Sequence, residues 1–131
     1  MIYLELFSNP EQKKGIKKIA EDLDIPSPFL GKIMQVLVKH KLLASTKGPH
    51  GGFYLGRPAI DIPIMEIIRI IDGKDVFNDC VIRTEACDPD RPCSMHHKLA
   101  ISRGEIARIF STETIADLVA EFREGREQIK I

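Results

Sequence analysis

A mainly α-helical fold with one small β-hairpin is predicted by three features of the sequence. Apolar residues recur at the three- and four-residue spacing of a helix face in five separate segments. A Gly- and Pro-rich stretch over 47–51 separates two short apolar runs, as expected for a hairpin. The 131 residues, 44% hydrophobic and 29% charged, fit one ordinary globular domain and argue against a disordered or disulfide-dense chain.

The first two helical segments are separated by the turn Asp24-Ile25-Pro26. The earlier segment places four apolar side chains on one helix face: Ile16, Ile19, Ala20 and Leu23. In the later segment, Ser27 is expected to cap the helix through its hydroxyl, and Pro28 suits the first helical position. Its apolar stripe consists of Leu30, Ile33, Met34 and Leu37. Two short helices joined in this way predict a helix-turn-helix.

The second of these helices carries a polar and basic face opposite its apolar stripe: Gly31, Lys32, Gln35 and Lys39. From a recognition helix, Lys32 and Gln35 can reach base edges in DNA. Such a face is also common on helices that simply contact water. The segment that follows favours the first interpretation.

A β-hairpin directly follows the helix pair. Leu42–Thr46 and Gly52–Leu55 predict two strands around the turn Lys47-Gly48-Pro49-His50-Gly51. A hairpin in this position is the wing of a winged helix, and a cation at its tip can enter a minor groove. We therefore predict a DNA-binding surface formed by Ser27, Lys32, Gln35, Lys39, Lys47, Gly48 and His50.

Three further helices are predicted in the second half. Ile64, Ile67, Ile68 and Ile71 form a stripe that begins near Pro63 and stops at Gly73. Between about Ser94 and Phe110 the steps alternate between four and three residues: Met95, Leu99, Ser102, Ile106 and Ile109. This repeat is typical of a helix that packs on a partner helix, although it can also pack on its own domain. A last helix is marked by Ile115, Leu118, Val119 and Phe122, and a charged tail follows from Arg123.

These patterns divide the chain into three parts. Residues 1–75 are expected to form a winged helix-turn-helix domain, 76–93 a cysteine-rich loop, and 94–131 a dimerisation helix with a C-terminal helix. The net charge is zero overall, but residues 1–60 carry +4 and residues 61–131 carry −4. This asymmetry suggests that the first part faces an anionic partner. No membrane span or secretion signal is apparent, so we expect a cytoplasmic protein.

Three cysteines, Cys80, Cys87 and Cys93, lie close together in a stretch rich in Asp and Pro. An odd number in a cytoplasmic chain is not a disulfide framework, whereas clustered thiolates are soft metal ligands. With His96 they can form a tetrahedral zinc site or hold an iron–sulfur cluster that has one ligand of another kind. The spacing matches neither common pattern, and three unrelated buried cysteines are the remaining alternative. His97 is expected to face solvent, because adjacent helix residues diverge by about 100°.

In this order, the motifs resemble those of the winged-helix regulators that include IscR, NsrR and CymR. The resemblance covers nearly the whole chain, and the wing motif together with the cysteine triplet is highly specific. It is carried by Ile19-Ala20-Glu21, Ile25-Pro26-Ser27-Pro28-Phe29-Leu30, Lys47–Leu55, Glu66-Ile67-Ile68-Arg69 closing at Asp72-Gly73, and the three cysteines.

The resemblance implies a homodimer that binds an imperfect palindrome in double-stranded DNA. It also implies a 2Fe-2S or 4Fe-4S cluster on Cys80, Cys87 and Cys93, and matches His96 to a family histidine three residues after the third cysteine. The chain departs from the family where six residues separate the first two cysteines, and where Gly31 replaces a glutamate that reads bases. The stretch Met1-Ile2-Tyr3-Leu4 matches the middle of the family's first helix, whose opening turns supply a cluster ligand to the partner subunit in some relatives. Where those turns are absent, His96 is the better candidate for the fourth ligand.

We therefore expect a DNA-binding transcriptional repressor whose operator affinity is set by an iron–sulfur cluster. The cluster would sense redox state, nitric oxide or iron–sulfur status, because thiolate-bound iron reacts with oxidants. One alternative keeps the DNA module but gives it structural zinc or unligated cysteines. An electron carrier, or an enzyme with Cys93 as nucleophile, is less favoured because no orienting group or oxyanion motif accompanies the thiol.

Overall fold

The structure, a computed structural model, describes residues 1–73, 77 and 90–125. Within these residues no helix is long and apolar enough to cross a bilayer. The mainly helical fold with one hairpin is confirmed. Its elements are α1 (Ile2–Phe7), α2 (Ile16–Leu23), α3 (Ser27–Lys39), β1 (Leu43–Thr46), β2 (Gly52–Leu55), a 3-10 turn (Ala59–Asp61), α4 (Ile64–Ile71), α5 (His96–Thr112) and α6 (Ile115–Arg123).

One apolar core joins both ends of the described chain. The four largest fully buried side chains come from α1, α2, the start of the hairpin and the approach to α4: Leu4, Ile19, Leu42 and Ile62. Ile115 and Val119 of α6 belong to the same core, and α6 packs on α1 and on the 3-10 turn. Burying each such aliphatic side chain contributes about 1.5–3 kcal/mol. The last helix therefore stabilises the domain that contains the helix pair.

The start of α3 differs from the prediction. Ser27 does not cap the helix: Pro26 is the N-cap residue, and no side chain makes a capping hydrogen bond there. The Pro26 carbonyl accepts hydrogen bonds from the N–H groups of Phe29 and Leu30, both at 3.0 Å. A capping side chain must precede the helix, and Ser27 is already its first residue. Pro28 is tolerated beside it because N–H groups in the first turn have no acceptor within the helix.

The predicted hairpin is confirmed, with β1 beginning one residue later than expected. β1 and β2 pair antiparallel, with Leu43 opposite Leu55 and Thr46 opposite Gly52. A residue before α2 extends this ladder: the Lys14 N–H donates to the Phe53 carbonyl at 3.2 Å, and the Phe53 N–H donates to the Lys14 carbonyl at 2.9 Å. These two bonds attach the hairpin to the segment that leads into the helix pair.

The other predicted helices are present with shifted ends. α4 begins after Pro63 and stops before Gly73, as predicted. α5 begins at His96 and ends at Thr112, about two residues later at each end than its spacing predicted. α6 begins with a capping box, in which the Thr114 hydroxyl accepts from the Asp117 N–H at 3.3 Å and the Asp117 carboxylate accepts from the Thr114 N–H at 2.9 Å.

We expect Gly52→Ala to destabilise the domain. A Cβ at this position would lie 2.7 Å from the backbone of Lys14, so the ladder between Lys14 and Phe53 would have to open. Such overpacking costs about 1–3 kcal/mol. The measurement is the free energy of unfolding from urea denaturation.

Gly104→Ala is the matched control. Gly104 lies within α5 with nothing inside 4 Å of the added Cβ, so this change should stabilise the helix by about 0.5–1 kcal/mol. Equal unfolding free energies for Gly52→Ala and the unmodified chain would contradict the proposed close approach.

Candidate functional site

The turn between α2 and α3 sets the direction of the second helix. Asp24 has a left-handed backbone conformation with φ of 54°, which Asp tolerates better than most residues. The Ile25 N–H donates to the Ala20 carbonyl at 3.0 Å and so closes the end of α2. Leu30 and Met34 of α3 are buried in the core that also holds Ile19 and Ala20, and the two helices pack together. The opposite side of α3 is therefore directed outward.

The predicted contact residues of α3 share this outer side. Lys32, Gln35 and Lys39 are exposed, while Ser27 at the beginning of the helix is half-buried. α3 contains no acidic residue, so its two lysines are not offset by carboxylates on the same helix. This face combines positive charge with an amide that can donate and accept hydrogen bonds, which suits the major groove.

The hairpin is joined to the end of α3 through Leu42. The Leu42 N–H donates to the Leu37 carbonyl at 3.0 Å, and the Leu42 carbonyl accepts from the Gly56 N–H at 3.0 Å. Its side chain is fully buried. Lys41, immediately before it, has a left-handed conformation with φ of 61°, which reverses the chain out of the helix. The hairpin base is therefore held in a defined position relative to α3.

The predicted contact residues of the hairpin lie in its turn. Lys47, Gly48 and His50 are all exposed. Gly48 has a φ of 109°, and its carbonyl accepts from the Gly51 N–H at 2.9 Å. A residue with a side chain rarely adopts that conformation, so glycine is needed at this position. The structure thus presents two exposed sets, one on α3 and one at the hairpin tip.

A polar network holds α1 against α2. The Tyr3 hydroxyl donates to one Asp22 carboxylate oxygen at 2.5 Å, and the Lys18 ammonium donates to the other at 2.7 Å. Burial, reinforced by Asp22, raises the pKa of Tyr3 to about 12. The bond from Lys18, followed by that from Tyr3, lowers the pKa of Asp22. Asp22 therefore adds stability above its unfolded pKa, and loses that contribution as the pH falls through its lowered folded pKa.

Two backbone hydrogen bonds connect the end of α5 to this domain. The Ile64 N–H donates to the Glu113 carbonyl at 3.0 Å, and the Ile115 N–H donates to the Ile62 carbonyl at 3.0 Å. We call these two bonds the 62–115 clamp. α5 also packs on α4, and Arg57 after the hairpin pairs with Glu66 of α4. α5 is therefore tied at its C-terminal end to the elements that hold the hairpin.

Two of the four predicted metal ligands lie at the other end of α5. Cys93 and His96 are both half-buried, and the His96 N–H donates to the Cys93 carbonyl at 3.0 Å. Cys80 and Cys87 lie outside the described residues. Among the residues that are described, no three His, Cys, Asp or Glu side chains are grouped closely enough to hold a metal. His97 is exposed, as predicted.

The stripe predicted on α5 lies largely on its surface. α5 has no buried residue along its length. Met95, Ile106 and Ile109 remain 39–44% exposed, Ser102 is exposed, and Leu99 is half-buried. Ile101 is 72% exposed but lies outside this stripe.

Phe29 was not among the predicted contact residues, although it shares the outer side of α3. Its side chain is 60% exposed. Its exposure could have been predicted from its position next to Leu30, because consecutive residues lie about 100° apart around a helix. Burial of Leu30 therefore turns Phe29 away from the core.

The chain is similar to known proteins along most of its length. A family model described as "Rrf2: Iron-dependent Transcriptional regulator" matches residues 1–121. Protein rrf2 of Nitratidesulfovibrio vulgaris is 31% identical over 118 residues, covering 85% of this chain and 74% of that protein.

Two solved structures share the fold. CymR of B. subtilis, described as the global cysteine regulator, has a TM-score of 0.71 and 23% identity, covering 91% of this chain and 86% of that one. IscR of T. potens has a TM-score of 0.70 and 22% identity, covering 98% and 83%. These likenesses confirm the winged-helix fold.

Replacing Lys47 by Ala should reduce the salt dependence of DNA binding. If Lys47 contacts a phosphate, the slope of log K against log salt should become shallower by about one, because one counterion fewer is released. Fluorescence anisotropy titrations at several salt concentrations measure this slope. Lys98→Ala, an exposed lysine on α5, is the control and should leave the slope unchanged. An unaltered slope for Lys47→Ala would remove Lys47 from the interface.

Proposed function

Given that the chain belongs to the Rrf2 family of transcriptional regulators, we propose that it is a repressor whose operator affinity is controlled by an iron–sulfur cluster. DNA binding and regulation of transcription are properties of the family, and enzymatic activity is not. The cluster, a homodimeric state and an imperfectly palindromic operator are our additions. The proposed cluster ligands are Cys80, Cys87, Cys93 and His96.

The observation that carries this proposal is the placement of Cys93 and His96 at the start of α5. Cys93 lies three residues before the helix and its carbonyl accepts from the N–H of His96, the first helical residue, while the 62–115 clamp joins the end of α5 to the DNA-binding domain. Ligands held at the start of α5 therefore bear on the orientation of a helix that is tied to the hairpin and α3. A change at the proposed cluster ligands could therefore reach α3 and the hairpin through α5 and the 62–115 clamp.

The donor types fit an iron–sulfur cluster. Thiolates are its usual ligands, and an imidazole replaces thiolate in some clusters. When bound, the cluster would supply iron that reacts with oxidants or nitric oxide. The match to a family described as iron-dependent supports iron over zinc.

Zinc on the same residues is the main competing interpretation. The visible absorption of anaerobically isolated protein, measured with its iron and acid-labile sulfide content, distinguishes the two. We expect iron and sulfide in a brown preparation. A colourless preparation that contains zinc would refute the cluster.

The exposed stripe of α5 supports a homodimer. A row of apolar side chains with a seven-residue repeat on a helix without buried residues suits a second copy of the same helix. Twofold symmetry would present two α3 helices to half-sites about one helical turn apart. This twofold symmetry is the reason for proposing a palindromic operator.

We expect Ile106→Asp to give a monomer. A carboxylate at the centre of the stripe would have to lose its hydration in the dimer, and it should also weaken operator binding strongly. Light scattering coupled to size-exclusion chromatography measures the mass. Ile101→Asp is the matched control, because Ile101 is still more exposed but lies off the stripe, and it should remain dimeric. A dimeric Ile106→Asp would place the interface elsewhere.

Removing the cluster should change operator affinity. Couplings of this kind are typically about 5- to 150-fold in affinity. Operator titrations compare one preparation before and after cluster removal, together with Cys87→Ser. His96→Ala should reduce the difference between loaded and cluster-free protein, whereas His97→Ala should retain it. Equal affinity of loaded protein, cluster-free protein and Cys87→Ser would show that the site does not regulate DNA binding.

A further inference from the structure

Phe29 is an unusual residue for the outer face of a helix that contacts nucleic acid through charge. Its ring is 60% exposed in the first turn of α3. Leaving an aromatic ring in water forgoes the free energy that its burial would contribute. Phe29 belongs neither to the apolar core nor to the partly buried side chains packed against it.

The neighbours of Phe29 indicate what covers it. Phe29, Lys32 and Val36 follow one another at three- and four-residue spacing, so they lie along one line of the helix surface. Lys32 is exposed, and Val36 is 37% exposed. An apolar, cationic and apolar sequence along one helix face matches the major groove of DNA, where thymine methyl groups lie among hydrogen-bond acceptors.

The position of Phe29 along α3 is also informative. Recognition helices contact base edges mainly with residues near their N-terminal end. Phe29 is the third residue of α3, and its backbone N–H is bonded to the Pro26 carbonyl at 3.0 Å. Its Cα is therefore held by the helix start, and the ring projects from the end that would enter the groove.

We infer that Phe29 contributes to sequence specificity by packing on the C5 methyl group of a thymine in each half-site. This inference rests on the proposed binding of DNA by α3 and adds a base preference to it. Lys32, Gln35 and Lys39 supply charge and hydrogen bonds, whereas Phe29 discriminates by apolar contact. The operator should contain a thymine whose methyl group, rather than its pairing, determines affinity.

The experiment removes the methyl group from the DNA and the ring from the protein. An operator is selected from a random duplex library by wild-type protein, and each thymine is then replaced in turn by deoxyuridine. Deoxyuridine pairs like thymine but lacks the C5 methyl. Wild-type protein should lose about three- to fivefold in affinity at one thymine per half-site, as expected for one buried methyl group.

Phe29→Ala provides the second arm. This variant should bind the unmodified operator about tenfold more weakly and should be insensitive to deoxyuridine at that position. Ile60→Ala is the matched control, because Ile60 is also 60% exposed but lies in the 3-10 turn. It should retain both the affinity and the methyl dependence of the wild type.

The outcomes separate this inference from the function on which it rests. Selection of an operator without any methyl-sensitive thymine, or equal methyl sensitivity of wild type and Phe29→Ala, would overturn the role of Phe29 and leave DNA binding intact. Failure of wild-type protein to select any sequence would refute specific DNA binding by α3, and the role of Phe29 with it.

Discussion

Leu42 connects α3 to the hairpin, the two elements that carry the proposed DNA contacts. Its N–H donates to the Leu37 carbonyl near the end of α3, and its carbonyl accepts from the N–H of Gly56, which follows β2. Its side chain is fully buried. Truncation of a buried leucine costs about 2–5 kcal/mol, a large share of the 5–15 kcal/mol that stabilise a typical domain. The backbone bonds and the packing of this one residue therefore position the hairpin relative to the helix. The exposed lysines of both elements depend on that arrangement.

The helix pair and hairpin could be predicted from sequence because their signals are local. The stripe of α2 and the turn glycines of the hairpin each lie within a few residues. The prediction that Ser27 caps α3 is wrong because the cap is Pro26, which has no side-chain oxygen that would mark it as a cap in the sequence. The pairing of Lys14 with Phe53 joins segments far apart in the chain, and no local pattern indicates it.

The candidate sites were predictable to different degrees. That Lys32, Gln35 and Lys39 share the exposed side of α3 follows from helical spacing alone. Cys93 lies before α5, so its closeness to His96 rests on the turn that enters the helix, in which the His96 N–H donates to the Cys93 carbonyl at 3.0 Å. The connection between α5 and the winged helix depends on bonds between distant backbone groups, which only the folded structure reveals. Cys80 and Cys87 lie outside the described residues, so their relation to Cys93 remains a prediction.

The 62–115 clamp fixes one end of α5, and the other end lies a full helix length away. The helix has 17 residues and is therefore about 25 Å long, with the clamp near one end and His96 at the other. A rotation of about 5° at the clamp displaces the far end by about 2 Å, from the length of such a helix. Conversely, moving the His96 end of α5 by about 2 Å would rotate the helix by about 5° relative to the winged helix at the clamp. In the proposed dimer small angles would matter, because two α3 helices would have to match the helical phase of one DNA duplex.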